Sequence, residues 1–522
     1  MKHIIGKDRN QFEMFCIEER IDKDNEVRLI ELFVDSLPLA NFGFVEEKTN
    51  PKGGRPAYHP SVLLKLFLYG YMNRIRSSRQ LEKECLRNLE VMWLMRGLAP
   101  DHNTIANFRK DNPDAIKKVF RATVELAKNF ELIGGKLLAG DGTKLRAQNS
   151  KKKNYNQAKI DRHLAYIETK LEEYNKVLSS EDGDKEAKEK AQLKIEQHLE
   201  QQQRYKALEQ QLEESGEVQI STSDPDSRQL IVRNMITEVA YNVQSTVDAK
   251  HNIPINYDVT NENDSKAMGE ILTQAVEVLG HNKFTALFDK GYCTGTEFEV
   301  AEKLNVEVLV AIPDLPTSSM APDHAYNISE FRYNEQEDTY TCPQGNTLKS
   351  NGIWYGKSRN HRGRKQHQPI RMKQYKTDAC KTCPVYDLCT KAANKRGRVI
   401  ERLVYAHLLD KNRKRMHDFY HIYQKRQAIV EHPFGIMKRQ WGFDHIMTKQ
   451  TIKRASADVG FIFTAFNLRR IFNILSQKEL KSYLKELVFY FSRFREHFNA
   501  FYGEIIFCLK VCVFEKTQFK VA

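Results

Sequence analysis

The stretch Phe284–Pro313, with the sequence FTALFDKGYCTGTEFEVAEKLNVEVLVAIP, decides the predicted fold. Its first residues are mostly apolar and end abruptly at Asp289, which predicts a buried strand with an acid at its carboxyl end. Apolar residues at helical spacing follow in 297–304, and a second apolar run covers 306–312. The stretch therefore predicts a β-α-β unit.

The position of Asp289 makes it a candidate functional residue. Ligands of open α/β sheets bind in the crevice outside the carboxyl ends of the strands, and Asp289 follows such an end. The alternative interpretation is that Asp289 only opens a turn with Gly291, because Asp and Gly both favour turns. The rest of the chain bears on this choice.

Length and charge limit the classes of protein to consider. A chain of 522 residues is too long for one simple core, so several domains or large insertions are expected. Lys and Arg number 82 against 68 Asp and Glu, and this clustered excess favours a polyanionic partner. Residues 1–15 lack the apolar core of a signal peptide, and no run is long enough to span a bilayer. We therefore expect a cytoplasmic protein without a membrane partner.

A second acid follows a predicted strand in Lys136–Gln148, KLLAGDGTKLRAQ. The apolar run beginning at Leu137 leads into Asp141 and Gly142, which again form either a functional strand end or a simple turn. Lys151–Lys153 follow within a few residues. They predict a polar loop that either tracks phosphates or serves as a solvated linker.

Helical periodicity predicts an N-terminal domain of about four helices before residue 130, the third of them opening at Asp101. Such a bundle either presents a helix to a DNA groove or is a plain packing domain. Four arginines near the predicted turns support the DNA interpretation: Arg74, Arg76, Arg79 and Arg109.

A second helical segment interrupts the predicted sheet. In Ile160–Leu178 apolar residues recur alternately four and three apart, which is typical of a coiled-coil seam, and helical periodicity resumes in Leu193–Leu212. We expect an inserted antiparallel coiled-coil hairpin. It either dimerises the protein or packs on it.

Four cysteines lie in a segment with little periodicity, between Pro313 and about residue 413. Cys342 lies in a CPxG turn, and Cys380, Cys383 and Cys389 lie in CKTCPVYDLC. Four thiolates form a common site for structural Zn²⁺, which would fold a region lacking its own core. The alternative is a reduced, metal-free loop, because the gap between Cys342 and Cys380 is not a standard finger spacing.

A third candidate acid, Glu431, lies on a basic segment that is predicted to be mostly helical from Arg413 onward. Tyr423 and Lys438 are eight and seven residues from Glu431, so on a continuous helix these side chains would project from broadly similar sides. The alternative is a solvated acid that pairs with a nearby Lys or Arg.

Asp141, Asp289 and Glu431 are far apart in the sequence, but two of them follow strands of one predicted sheet. Three convergent carboxylates can hold two Mg²⁺ (or Mn²⁺) ions. Such ions activate a water or a 3′-hydroxyl on one side of a phosphodiester and stabilise the leaving oxygen on the other. The substrate class expected from this chemistry is a phosphodiester, and the surrounding Lys and Arg would neutralise DNA phosphates without reading the sequence.

Several motifs together resemble one known family, over roughly residues 50–475. They are GRPAYHPSVLLKLFLYGY, GDGTKLRAQNSKKKN, YNVQSTVD, FDKGYCTGTE, the CPxG and CxxC cysteines, and VEHPFGIMKRQWGF. The sequence resembles the DDE-type transposases of bacterial insertion sequences, which have an RNase H-like catalytic fold. Within them it is similar to the group numbered eleven eighty-two.

The resemblance implies that Asp141, Asp289 and Glu431 are the catalytic triad and bind the two metal ions. It also implies that Lys438 steadies a phosphate near the cut, with Tyr423 in a supporting role. The residues expected to contact DNA are Lys144, Arg146, Lys151, Lys152, Lys153, Arg426, Lys438 and Arg439.

The chain departs from the family's tyrosine-arginine-glutamate-lysine signature at one point. Tyr423 and Arg426 keep their mutual spacing, but each lies one residue further from Glu431 than the signature expects. Gln424 and Gln427 occupy the expected places.

The implied activity is hydrolysis at the terminal inverted repeats, followed by attack of the freed 3′-hydroxyl on target DNA. The implied partners are transposon-end DNA, target DNA and a second copy of the chain in a homodimer. A DNA-binding regulator that has lost catalysis is the alternative from another class. A related nuclease without strand transfer is a third possibility.

The predicted fold class is α/β: an RNase H-like mixed sheet with helices, an N-terminal helical domain, an inserted coiled-coil hairpin and an inserted cysteine module. The expected segments are 1–130 (helical, DNA-binding), 131–157 (first part of the catalytic domain), 158–215 (hairpin), 216–313 (catalytic domain continued), 314–412 (cysteine module), 413–475 (C-terminal catalytic helices) and 476–522 (tail).

Overall fold

The computed structural model describes residues 10, 12, 14–44, 56–179, 185–233, 236–314, 320–357, 370–392 and 396–486. Parts of three predicted features lie outside these residues: the start of the motif at Gly54, the polar break at 180–184, and the tail from 487 onward. The chain divides into two compact units. Unit 1 comprises 1–134, 250–259 and 432–522, and unit 2 comprises 135–249 and 260–431.

The first described elements are helices, strands and helices are mixed between residues 137 and 403, and helices follow again from residue 406. The helices are α1 (Glu26–Asp35), α2 (Pro60–Met72), α3 (Ser78–Arg87), α4 (Leu89–Leu94), α5 (His102–Asp111), α6 (Pro113–Asn129), α7 (Gln157–Ser179), α8 (Lys185–Ser215), α9 (Met268–Leu279), α10 (Gly295–Lys303), α11 (Tyr386–Cys389), α12 (Ala406–Asp418), α13 (Tyr420–Tyr423), α14 (Arg426–Gly435) and α15 (Ile452–Ile474). The strands are β1 (Leu137–Arg146), β2 (Asn154–Asn156), β3 (Gln219–Ser221), β4 (Arg228–Arg233), β5 (Ile236–Asp248), β6 (Ile253–Pro254), β7 (Asp258–Thr260), β8 (Thr285–Phe288), β9 (Glu307–Val310), β10 (Arg332–Asn334), β11 (Thr339–Thr341), β12 (Thr347–Ser350), β13 (Tyr355–Lys357), β14 (Ile370–Lys376) and β15 (Ile400–Leu403).

Unit 1 is built mainly from helices that pack around α15. This helix is apolar around most of its circumference and packs against α2, α5 and α6. The rings of Phe461 and Phe67 stack with centroids 4.7 Å apart. As the sequence predicts, α5 opens at Asp101, whose carboxylate accepts hydrogen bonds from the amides of Asn103 and Thr104. None of the helices in the described parts of the chain is both long and apolar enough to cross a bilayer.

A buried charge cluster lies inside unit 1. Asp458 on α15 is fully buried, and its two carboxylate oxygens each lie 3.4 Å from a guanidinium nitrogen, one of Arg109 and one of Arg76. The Tyr71 hydroxyl donates a hydrogen bond to the same carboxylate. Buried charges persist only when they are paired and hydrogen-bonded, so these arginines stabilise the fold. The expectation that Arg76 and Arg109 face DNA is therefore wrong.

Unit 2 contains a mixed sheet with the strand order β4-β5-β1-β8-β9. Strand β5 runs antiparallel to both β4 and β1, whereas β8 is parallel to β1 and β9 is parallel to β8. Helix α10 makes the crossover between β8 and β9 that parallel strands require. The predicted β-α-β unit is thus present, and the mixed α/β class is confirmed.

The structure corrects the expected position of Asp141. Strand β1 does not end at this residue but continues to Arg146, because β5 is long enough to pair with it throughout. Asp141 pairs with Ser245 of β5. Only the parallel pairing with β8 stops early, at Ala139. Asp141 therefore lies inside a strand, at the point where its parallel neighbour ends.

A helical hairpin of α7 and α8 interrupts unit 2, as predicted. Its base has a small core in which Ile160, Leu208 and Leu212 pack with Tyr155 of β2 and Ile220 of β3. Strands β2 and β3 pair with each other and fix the two ends of the hairpin together. The coiled-coil geometry and the seven-segment division of the chain stay predictions.

The cysteine-containing segment folds as a second, six-stranded sheet, with the order β10-β11-β12-β14-β13 and with β15 paired to β14. It has its own core, so the expectation that this region lacks one is wrong. The core residues are Phe331, Tyr340, Leu348, Tyr375 and Ile400. The strands are three to seven residues long and pack through aromatic side chains. Such short strands show little alternation of apolar and polar residues.

Candidate functional site

Two of the three predicted acids lie side by side in unit 2. Leu138 pairs with Ala286 and Ala139 with Leu287 in the parallel ladder of β1 and β8. Continuing this register by two residues sets Asp141 beside Asp289. The charge of Asp289 raises the pKa of Asp141, so the two acids lie within electrostatic range of each other where β8 ends.

Asp289 is a turn former, as the alternative interpretation predicts, and its functional role stays a prediction. Its Oδ1 accepts a hydrogen bond of 2.8 Å from the amide of Gly291 and caps the short 3₁₀ helix Lys290–Tyr292. The cap fixes the carboxylate at the strand end. A turn role and a functional role are compatible here, because a carboxylate has lone pairs left after one hydrogen bond.

Arg426, at the start of α14, faces Asp141. Its Nη1 lies 3.4 Å from Asp141 Oδ2, while Asp141 Oδ1 accepts a 2.8 Å hydrogen bond from the amide of Gly142. Burial raises the pKa of Asp141, and the charges of Asp289 and Asp264 raise it further; Arg426 and the Gly142 amide oppose this but do not cancel it. The guanidinium thus partly compensates a crowded group of acids.

Tyr423 lies at the end of α13, close to Arg426 and Asp289. Burial raises the pKa of its hydroxyl, Asp289 adds to the rise, and the contact with Arg426 lowers it. The segment from Arg413 is mostly helical, as predicted, but it is not one continuous helix. The chain forms α12, α13 and α14 in succession, and the break after Tyr423 lets this residue and Arg426 face the aspartate pair together.

Glu431 does not join the aspartates. Its side chain is exposed and accepts a 2.7 Å hydrogen bond from Gln427 Nε2. Five residues turn an α-helix by about 500°, so Glu431 projects roughly 140° away from Arg426 on α14. From α14, Arg426 contacts Asp141, whereas the side-chain hydrogen bond of Glu431 is with Gln427.

The residues fit a divalent-metal site only in part. Asp141 and Asp289 offer the oxygen donors that Mg²⁺ and Mn²⁺ prefer. However, a cationic side chain lies against Asp141, and across the described residues no three His, Cys, Asp or Glu side chains are grouped closely enough to hold a metal ion.

Sequence reasoning missed one acid, Asp264, in the loop before α9. Its side chain accepts hydrogen bonds of 2.8 Å from Lys144, Asn242 and Gln244. Burial alone would raise the pKa of Asp264, but Lys144 and the two amides outweigh it and hold the pKa below its usual value. Asp264 lies in the polar stretch NENDSK, which carries no motif, so no local pattern identifies it as a candidate site residue.

The predicted DNA-contacting residues have different environments. Lys144 is 16% exposed and forms an ion pair with Asp264, and its assignment as a DNA-contacting residue stays a prediction. Arg146 is about half exposed and lies 3.6 Å from Glu238. Lys151–Lys153 form an exposed 3₁₀ turn. Lys438 and Arg439 lie in the π-helix Ile436–Gln440 of unit 1, with Arg439 exposed and Lys438 partly buried.

The four predicted zinc ligands line one small pocket of the second sheet. Cys342, Cys380, Cys383 and Cys389 all contribute to its wall. Burial raises the pKa of the Cys389 thiol; the nearby Arg398 lowers it, and the other three cysteines raise it. The structure thus brings these residues to one place, without a closed ligand set among the residues described.

Two segments of the chain match protein-family models. Residues 15–111 match the transposase domain (DUF772), and residues 341–472 match the transposase DDE domain. The second segment includes Glu431, whereas Asp141 and Asp289 lie between the two segments. Among curated proteins and among solved structures, no match to the chain is found.

Proposed function

We propose that this chain is a DDE-type insertion-sequence transposase, the class that both matched segments support. The observation that carries the proposal is the Asp141–Asp289 pair on neighbouring parallel strands of a mixed sheet. We further propose an RNase H-like fold for this sheet, in which β1 has an antiparallel strand on one side and two parallel strands on the other. Membership of the group numbered eleven eighty-two belongs to the same proposal.

The proposed substrate is DNA at the terminal inverted repeats, in the cytoplasm. Hydrolysis of a phosphodiester frees a 3′-hydroxyl, which then attacks target DNA. Divalent ions, when bound, supply activation of the attacking oxygen and stabilisation of the leaving oxygen. Asp141 and Asp289 are the proposed ligands, and Glu431 completes the set only in an arrangement other than the described one.

The chain's own cations have the proposed task of holding DNA. Lys151–Lys153 are exposed on unit 2 and Arg439 is exposed on unit 1, so their charges are available to phosphates. Such contacts position the duplex without reading its sequence. A homodimer is proposed as the active form, with the α7–α8 hairpin as the candidate contact.

The direct test of the function is cleavage of transposon-end DNA in Mg²⁺ by wild type and by Asp289→Asn. We expect wild type to cleave and join the ends and the variant to lose at least a thousandfold in rate, with its melting temperature unchanged. Asp378→Asn is the matched control, because Asp378 is 92% exposed and pairs with Lys381 three residues away, outside the proposed site and the proposed dimer contact. If Asp289→Asn cleaves transposon-end DNA at the wild-type rate, the assignment of Asp289 as a catalytic residue is wrong. End binding without cleavage by wild type supports the regulator instead.

A structural Zn²⁺ held by the four cysteines is a separate proposal, supported by their shared pocket. Elemental analysis of protein purified without added metal should give one zinc per chain. Cys383→Ser should lose it, while Cys85→Ser should retain it, because Cys85 is buried in unit 1. Zinc-free wild type with a folded second sheet contradicts this proposal and leaves the catalytic one intact.

A further inference from the structure

Asp264 links the segments that carry the two aspartates. One carboxylate oxygen accepts hydrogen bonds from Asn242 and Gln244 of β5, and the other lies 2.8 Å from the ammonium of Lys144 on β1. Gln244 in turn accepts a hydrogen bond from the Tyr292 hydroxyl, in the turn that follows Asp289. The network therefore ties β1, β5 and the loop after β8 together beneath the site.

The glycines that follow the two aspartates leave room for this carboxylate. A Cβ added at Gly142 would lie 2.5 Å from Asp264 Oδ1, a distance that side chains do not adopt. A Cβ at Gly291 would lie 3.0 Å from Asp289 Oδ1 and 3.5 Å from the Cβ of Asp264. Gly142 is thus required by close approach rather than by an unusual backbone angle. A glycine follows Asp141 because the carboxylate of Asp264, 122 residues after Gly142, occupies the space that a Cβ at Gly142 would need.

Asp264 also sets the charge beside the aspartate pair. Its charge acts on Asp141 and on Tyr292, so it lies within electrostatic range of the candidate site. Lys144 is only 16% exposed and has Asp264 as its salt-bridge partner. Without this carboxylate, the positive charge of Lys144 would be less compensated and would oppose a cation at the aspartates.

We propose that Asp264 is a positioning residue of the Asp141–Asp289 site. It holds the Gly142 and Gly291 backbone at the sheet edge and neutralises Lys144, so that the aspartate pair keeps a negative field. This role rests on the proposed function, because it concerns cation binding at the same two carboxylates. It differs from the triad assignment, since Asp264 acts through other residues.

The test compares Asp264→Asn and Lys144→Met by Mn²⁺ binding, measured by electron paramagnetic resonance without DNA. We expect Asp264→Asn to weaken Mn²⁺ binding about tenfold, or about 1.4 kcal/mol, and Lys144→Met to strengthen it several-fold. The double variant should lie near wild type. Glu262→Gln is the control, because Glu262 is exposed and pairs with Lys266. A purely structural role predicts weakening by both single variants, and that result, or no change in either, overturns the inference.

A second measurement is independent of metal. Hydrogen exchange of peptides covering residues 139–146 and 288–293 should accelerate in Asp264→Asn and not in Glu262→Gln. Unchanged exchange overturns the positioning role. Wild type that neither binds Mn²⁺ nor cuts DNA contradicts the proposed function, and the exchange result then decides the inference on its own. If Asp264→Asn does not fold, Lys144→Met still tests the sign of the charge effect.

Discussion

Arg426 Nη1 lies 3.4 Å from Asp141 Oδ2, and this ion pair occupies the side of the aspartate pair where a third carboxylate was expected. The guanidinium is mostly buried, and its charge also acts on Asp289. Glu431 meanwhile lies on another side of α14 with Gln427. In the described site, Arg426 therefore compensates part of the negative charge of Asp141 and Asp289.

Replacing Arg426 should make cation binding easier. In Arg426→Gln the positive charge beside Asp141 is lost, so Mn²⁺ should bind the DNA-free protein about tenfold more tightly. The same resonance titration measures this. Arg413→Gln is the control, because Arg413 is 60% exposed and pairs with Asp410 on its own helix. Equal affinities for wild type and Arg426→Gln would show that the guanidinium does not compete with a cation.

Gly142→Ala should damage the site although it adds a single methyl group. The new Cβ would collide with Asp264 and its amide partners, so either β1 or the network must shift. We expect a loss of roughly 1–3 kcal/mol in the free energy of unfolding and of DNA cleavage by at least a hundredfold. Urea unfolding and a cleavage assay measure the two effects.

Gly435→Ala is the matched control for this change. Gly435 has helical backbone angles and open space around its Cβ position, so alanine should be neutral or slightly stabilising. A Gly142→Ala protein as stable and active as Gly435→Ala would contradict the close packing of Asp264 against β1.

Asp458→Ala should destabilise unit 1 strongly. The change leaves the guanidinium groups of Arg76 and Arg109 buried without their carboxylate, which costs roughly 3–5 kcal/mol. Urea unfolding monitored by circular dichroism measures the loss. Asp444→Ala should cost under about 1 kcal/mol, because Asp444 is 41% exposed and pairs with His445 at the surface. Similar losses for both variants would argue against a buried cluster.

The second sheet should lose stability in acid through Asp338. Burial alone would raise the pKa of this carboxyl, but hydrogen bonds from Lys373, Tyr375 and Tyr333 lower it to about 2. A lowered folded-state pKa stabilises the fold above the unfolded value of about 3.9, and this stabilisation is lost as the pH falls towards about 2. Because the side chain is 39% exposed, the effect is about 1 kcal/mol after screening.

Asp338→Asn should therefore flatten the pH dependence of unfolding between about pH 4 and pH 2. The substitution by asparagine adds no backbone strain, because asparagine tolerates the positive φ of 50° at this position. Urea unfolding at pH 5 and pH 2.5 compares the variant with wild type. Asp378→Asn, which removes a partner of Lys381, should change the pH dependence less than Asp338→Asn, because Asp378 is 92% exposed and its ion pair is screened by solvent. If the free energy of unfolding of Asp338→Asn depends on pH as in wild type, Asp338 is not the source of the acid sensitivity.

Local sequence patterns were sufficient for the elements whose side chains repeat. The β8-α10-β9 unit, the opening of α5 at Asp101 and the α7–α8 hairpin follow from periodicity and capping, because these act over a few residues. The same patterns failed for the second sheet, whose short strands rely on aromatic contacts from remote segments. They also did not locate the breaks between α12, α13 and α14, since no strong breaker separates these helices.

The sequence by itself determined the candidate acids Asp141 and Asp289, because each follows an apolar run and precedes a glycine within two residues. Only the tertiary structure decided their surroundings. Asp264, Lys144 and Arg426 reach the site from different segments through strand pairing and helix rotation. The helical phase that turns Glu431 away also depends on where α14 begins. Local patterns are sufficient to predict strand ends and turns. The charge balance at a site depends on which remote segments the fold brings together.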